Sequence, residues 1–387
     1  MAARRPPNRK ALIRSAAAEL FRDHGFHNVS VAQVAEAVGI TAPALYRHYR
    51  NKRDLLLAAV LHELDTLDAI AASATDLDGL LAALAGTTVE GRGTGALWQR
   101  EARHLDDHQR EVIHEHSDGT MAHLVPLVGA ARHELSEADS RLVALAVVGV
   151  FAGRRTSRTA LSRRRHEQLL LRLATAEANA ELSASNGQEA FTDAAIDPMI
   201  AGVRIPRREQ LLTEAIRLFD EHGFQTVRLS DIAEAAGIAR TGAYRHFANK
   251  TELLVAAATA AGDRMRLAVA QALAQARGPG EVLELLLAAH VDVTLQNARL
   301  VGILINERDQ LPDPERKKYQ RFQDDMLNVW LQAVDNALPG RDQREAKIVV
   351  QAVQSMVYFV IRSRSTANRR DLPERLNELG MALLQGW

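Results

Sequence analysis

A chain of 387 residues exceeds one ordinary domain of ~100–200 residues, and 47% of it is apolar, which is enough for several cores. It has no Cys, which excludes disulfides, zinc–thiolate sites and thiol nucleophiles, and no apolar run of the ~18 residues that a membrane span needs. Its 48 Lys and Arg balance 48 Asp and Glu, so the chain as a whole is not a uniformly basic nucleic-acid binder.

Abundant Ala, Leu, Arg and Glu with few aromatics predict an all-α protein. The start, MAARRPPNRK, lacks the apolar segment of a secretory signal, so the cytoplasm is the expected location. The first helix is expected over Arg9–His24, with Leu12, Ala16, Leu20 and Phe21 as its buried stripe and Gly25 as its stop. Ser30 and Gln33 have the spacing of a capping box for a second helix, which ends at the turn residue Gly39. A third helix is expected over about Thr41–Arg50, capped by Thr41 and carrying Pro43 early, where a missing amide matters least. A short helix, a tight turn and a second short helix make a helix-turn-helix.

A longer helix follows from Lys52 to about Ser73, then helices near 76–86, 95–104, 107–115, 118–134, 137–161 and 163–181. Gly91-Arg92-Gly93-Thr94-Gly95 contains a GxG, but no strand precedes it, so it reads as a loop between helices. Residues 183–204 are small and polar and read as a linker. Beyond it come a head at 205–250, a long helix at 250–276, a break at Gly278-Pro279-Gly280, and helices to Trp387.

The second half repeats the first. With Arg9 set on Arg207 and no gap, Leu20-Phe21 meets Leu218-Phe219, His24-Gly25-Phe26 meets His222-Gly223-Phe224, and Asn51-Lys52 meets Asn249-Lys250. The parallel continues past the heads, from Leu97-Trp98-Gln99-Arg100-Glu101 to Ile303-Leu304-Ile305-Asn306-Glu307 and from Val143–Phe151 to Ile348–Phe359. The chain therefore reads as two whole protomers in series: a head at 1–52, a body at 53–182, the linker, a head at 205–250 and a body at 251–387. The basic charge is lopsided. Residues 4–56 hold ten Lys and Arg against four Asp and Glu, and residues 204–256 hold eight against seven.

Leu-Phe, then His-Gly-Phe, then Ala-Glu-Ala-x-Gly-Ile, then Tyr-x-His-aromatic-x-Asn-Lys-x-x-Leu-Leu resembles the TetR family of one-component transcriptional regulators, and it occurs twice. Two such protomers in one polypeptide, with Trp-Gln-Arg-Glu-Ala-Arg-His-Leu in the first, resemble the tandem double-TetR regulators of the mammalian-cell-entry-operon type. The resemblance implies a three-helix DNA-binding head on a helical ligand body, with the two bodies pairing inside one chain as a pseudo-dimer. It implies that Tyr46 and Tyr244 contact phosphate, that His48 and His246 lie near the DNA backbone, and that Lys52 and Lys250 neutralise phosphates. Base edges would meet Ala42, Pro43 and Ala44 in the first head and Arg240, Thr241 and Gly242 in the second. Thr41 and the cap Ser30 would sit beside phosphate, with Arg4 and Arg5 as an N-terminal arm. The partners implied are a double-stranded operator with unlike halves and a small apolar effector. The expected activity is repression relieved by that effector, with no membrane, cofactor, metal or enzymatic step. A DNA-binding architectural or constitutive regulator without a ligand is the alternative. The second head departs from the pattern at Arg228, where a Ser or Thr cap is usual. Ala44 and Gly242 replace the small hydroxyl residue of the recognition helix.

Other readings stay open. Tyr46 and Tyr244 also suit core aromatics of a small helical head. Trp98, Glu101 and His104 share a helical face and suit either a pocket wall or plain packing, and Glu307, Met326, Trp330 and Tyr358 pose the same choice in the second protomer. His104 and His108 are four residues apart with His114 and His116 beyond, but a metal site also needs a third ligand and a closed geometry. Arg154, Arg155, Arg158, Arg163, Arg164 and Arg165 suit a solvated face or an anionic ligand.

Overall fold

The computed structural model describes residues 9–91, 96–153, 161–183 and 205–387. The regular elements among them are all helical, and the chain divides into two compact units between residues 179 and 180. The first unit runs α1 (Arg9–His24), α2 (Val31–Ala37), α3 (Ala42–Tyr46), α4 (Lys52–Ser73), α5 (Leu77–Val89), α6 (Ala96–Glu101), α7 (Asp107–Ala131), α8 (Glu137–Phe151) and α9 (Arg163–Ala178). The second repeats the order as α10 (Arg207–His222), α11 (Leu229–Ala235), α12 (Arg240–His246), α13 (Lys250–Gln275), α14 (Pro279–Gln296), α15 (Ala298–Glu307), α16 (Asp313–Ala337), α17 (Gln343–Ile361) and α18 (Leu372–Gln385). The expected all-α architecture of two helix-turn-helix protomers in tandem is what the chain adopts. The linker expected at 183–204 lies outside the described residues apart from Ser183, as do Arg154, Arg155 and Arg158.

Local chemistry accounts for most boundaries. Gly25 and Gly223 end α1 and α10 at φ of 80° and 77°, a backbone region that costs a side chain dearly and glycine little. At α2 the amide of Gln33 donates to Ser30 Oγ at 3.2 Å, and the amide of Ser30 donates to Gln33 Oε1 at 2.7 Å, so the capping box is complete. At α11 half of it survives. Asp231 Oδ2 accepts the Arg228 amide at 2.8 Å, while a guanidinium, which only donates, cannot return the bond. Pro279 opens α14 just after Gly278.

Three expectations need correction. The buried row of α1 is Ile13, Ala17 and Phe21, all at 0% exposure, with Ala18 beside it, while Leu12 is 51% exposed. Both rows are apolar at helical spacing, and the row that ends on the large ring takes the interior. Helix α3 stops at Tyr46, and Thr41 makes no side-chain cap bond. Pro43 at the second helical position offers no N–H, and the Ala44 amide is held by the Thr41 carbonyl at 2.9 Å. Residues 107–131 form one helix, not two. Gly119 sits inside it at a cost of ~1 kcal/mol relative to Ala, outweighed by the burial of Met121, Leu124, Val125 and Val128.

The core of each head runs on into its own body. In the first unit Phe21, Val34, Leu45 and Leu55 share one apolar cluster with Leu97, Leu105 and Ile113, and in the second Phe219, Ile232 and Leu253 share one with Leu300, Ile303 and Leu311. Truncating Phe21 or Phe219 to Ala would cost ~3–5 kcal/mol on this packing. Within the bodies α4 packs on α1 and α7, α5 on α9, and α14 on α13, α16, α17 and α18.

Candidate nucleic-acid interface

In each unit a short capped helix and a tight glycine turn aim a second short helix outward. Gly39 and Gly237 make that turn at φ of 66° and 63°. Behind the second helix Leu45 and Ala243 are buried and fasten it to the head's core. On its free side Tyr46 is 51% and Tyr244 is 53% exposed, values far from those of core aromatics. That exposure rules out the reading of these tyrosines as core aromatics.

The rest of the reading surface is exposed with them. Ser30, Thr41, Pro43 and His48 lie open in the first head, with Ala42 and Ala44 half-buried at its edge. In the second head Arg240, Thr241 and His246 are open and Gly242 is half-buried. A Cβ at Gly242 would lie 3.2 Å from Ile238 Cγ2, a close approach. Arg47 and Arg245, each the residue after the tyrosine, are exposed too and belong to the surface. Sequence reasoning left them out, although the Tyr-Arg-His run is identical in both copies. Arg4 and Arg5 lie outside the described residues.

Two of the expected contacts face another way. Lys52 Nζ stands 4.3 Å from the ring centroid of Phe26, and Lys250 Nζ stands 4.5 Å from that of Phe224. Lys250 Nζ also donates to the carbonyls of Phe224, Gln225 and Val227 at 2.7, 3.0 and 2.9 Å. An ammonium has three donors, so a phosphate on Lys250 must displace one of these bonds. Burial pulls both lysine amines below their ordinary range, and the facing Glu101 and Glu307 act in the opposite sense.

The residues considered for a pocket divide between different places. Glu101 and Glu307 turn to the heads, where their carboxylates accept the amides of Phe26 and Phe224. His104 follows Glu101, pairing with its carboxylate at 3.4 Å. Helix α6 ends at Glu101 and a 3-10 turn carries Ala102–His104, so the single helical face expected for Trp98, Glu101 and His104 is broken. Trp98 meets the His114 ring of α7 edge-on at 5.9 Å. His116 pairs with Asp65 at 3.1 Å, and Arg163 pairs with Glu90 at 3.0 Å. In the second body Trp330 is buried at 3% exposure and Tyr358 at 8%, while Met326 is half-buried. A Cβ at Gly302 would lie 2.8 Å from the Tyr358 hydroxyl, so that glycine makes room for it.

Comparison with known proteins agrees with this geometry. The family model "Bacterial regulatory proteins, tetR family" matches residues 13–59 and again 211–257. The HTH-type transcriptional activator FasR of Mycolicibacterium smegmatis is 34% identical over 59 residues, covering 15% of this chain and 27% of that protein. The probable acrEF/envCD operon repressor of Escherichia coli K12 is 46% identical over 46 residues, covering 12% of this chain and 21% of that one. The chain thus spans only about a quarter of the length of these curated relatives. The structure of the ketosteroid transcriptional regulator KstR2 of Mycobacterium tuberculosis aligns with 47% of this chain and 95% of its own, at 21% identity and a TM-score of 0.42. Two heads of one design, each matched by the same model, show that the DNA-binding domain of the tetR family is present twice in tandem in this chain.

Proposed function

We propose that the chain is a transcriptional repressor that grips one double-stranded operator with both heads and leaves it when a small apolar ligand enters a body. One observation carries the reading: a single polypeptide holds two complete heads, each with an exposed Tyr-Arg-His face on a buried anchor. A dimeric helix-turn-helix protein reads two half-sites with two recognition helices, and here both are in one chain. In this reading the chain is a functional monomer, its bodies paired as a pseudo-dimer, and it works in the cytoplasm as a regulator, not an enzyme. Support for the pairing comes from α8, which has no polar residue from Leu142 to Phe151. Helices without a polar face need apolar partners.

Support for a ligand comes from the second body. His290 Nε2, Thr294 Oγ1 and Asn306 Oδ1 are buried without hydrogen-bond partners among the described residues. Such groups carry a desolvation cost that a bound polar group relieves. The unlike reading faces, Ala42-Pro43-Ala44 and Arg240-Thr241-Gly242, favour an operator whose halves differ. Sedimentation of the protein with a minimal duplex of ~15–20 base pairs tests the reading, with one chain per duplex expected. Two chains on that duplex would end it.

A further inference from the structure

Glu101 is the last residue of α6 and Glu307 the last of α15, where the free carbonyls of a helix end disfavour a carboxylate. Both are nonetheless buried, at 3% and 2% exposure. Each reaches out of its body into its head. Glu101 Oε2 accepts the Phe26 amide at 3.3 Å, and Glu307 Oε1 accepts the Phe224 amide at 3.0 Å. These phenylalanines follow the glycines that end α1 and α10, so the bond falls on the turn that leads into the helix-turn-helix. Their rings pack on Phe21 and Phe219, at centroid distances of 5.7 and 5.1 Å. Against the same rings stand Lys52 and Lys250, the first residues of the long helices α4 and α13.

Three elements therefore meet at one point in each unit: the end of a body helix, the turn of the head, and the start of the helix joining them. The surroundings have changed between the copies, while the carboxylate on the phenylalanine amide and the ammonium over its ring recur. In the first unit His104 stacks on Phe26 at 5.0 Å and meets the His27 ring at 4.4 Å. In the second the corresponding places hold Gln310 and Gln225, whose side-chain amides bond each other. The first copy fills the space with rings and the second with a hydrogen bond, around the same Glu, Phe and Lys.

We infer that Glu101–Phe26–Lys52 and Glu307–Phe224–Lys250 are the joints that set each head on its body, and that Lys52 and Lys250 are positioning residues for DNA binding rather than phosphate contacts. The inference rests on the heads being DNA binders, and its test separates the two ideas.

The full-length chain is titrated with a mixed-sequence pool of short duplexes over a range of salt, and amide exchange at Phe26 and Phe224 is followed without DNA. Lys250→Met is expected to lower affinity about tenfold with the slope of log K against log salt unchanged, and to speed exchange at Phe224 by about tenfold or more. Glu307→Leu is expected to give the same faster exchange, and Glu307→Gln, which keeps an acceptor oxygen, is expected to retain protection. A slope flattened by about one unit in Lys250→Met, with Phe224 protection intact, would mark a phosphate contact and overturn the inference. Unchanged exchange in Glu307→Leu would overturn it as well. Failure of the wild type to bind any duplex would refute the DNA-binding reading while leaving the exchange results to decide the joint.

Discussion

His290 of α14 stands edge-on to Trp330 of α16, with ring centroids 6.2 Å apart and planes at 86°. Burial in this apolar setting pulls the imidazole down from 6.5 to about 4, so the folded protein holds it neutral. In the unfolded chain it takes a proton near its ordinary value. The unfolded state therefore binds more protons between these values, and stability, complete above about pH 6.5, falls as pH drops toward 4. The His290 share of the loss between pH 7 and pH 5 should be about 2 kcal/mol, and His290→Leu should remove that share, leaving the part due to His27, whose imidazole burial also pulls down to about 4. Urea unfolding of wild type and variant at the two pH values checks it, and a variant that loses as much stability as the wild type would contradict it.

Glu177 of α9 is 0% exposed, and both carboxyl oxygens lack a hydrogen-bond partner among the described residues. Burial pushes its carboxyl well above the usual range. Leu376, Leu379 and Leu383 of α18 repeat the spacing of Leu170, Leu173 and Glu177, so the other copy of the fold has Leu at this place. Glu177→Leu should raise stability near neutral pH by roughly 1–3 kcal/mol, the order of the cost of an unsatisfied buried polar group. The gain should shrink below about pH 4.5, where the unfolded carboxyl is also protonated. A lower melting temperature at pH 7 would point to a partner that relies on the carboxyl.

The helix caps give a paired test. Ser30→Ala removes a complete capping box and should cost about 1 kcal/mol. Arg228→Ser completes the half-box that Asp231 already supplies and should gain a comparable amount. Thermal unfolding of the two variants should move in opposite directions, and a loss on Arg228→Ser would assign the arginine a role beyond the cap.

Much of this molecule was legible because its sequence states the fold twice. The helix order, the capping box and the turn glycines followed from local chemistry. The errors fell where one copy alone is ambiguous. Leu12 and Ile13 begin equally apolar rows, but the second copy has Gln210 and Glu214 where the first has Leu12 and Ala16, which marks that row as the outer one. A break was expected at residues 116–117 of α7, while its counterpart α16 runs unbroken from Asp313 to Ala337. Glu101, Glu307, Lys52 and Lys250 were beyond reach for a different reason. Their partners are backbone groups of a distant turn, or for Lys52 the ring of Phe26, and no side-chain pattern reports which of these a carboxylate or an ammonium will find.

Exposed cations next to the recognition tyrosines should carry the salt dependence. Arg47→Ala and Arg245→Ala should each flatten the slope of log K against log salt by about one unit, if each neutralises one phosphate. Combined removal of Arg47 and Arg50 should have the larger effect, since the first head holds the excess of positive charge. Equal or greater flattening from Arg245→Ala alone would show that local charge does not set the footprint.

One chain reading one site with two unlike heads is tested most directly by selecting bound duplexes from a random pool and reading the symmetry of the consensus. The wild type should select two different halves. Arg240 can donate to a guanine edge, a contact worth about 1–3 kcal/mol of discrimination, whereas Ala42-Pro43-Ala44 can offer only apolar contact and shape. Arg240→Ala should therefore relax one half and leave the other as it was. Two matching inverted halves, equally sensitive to Arg240→Ala, would contradict it.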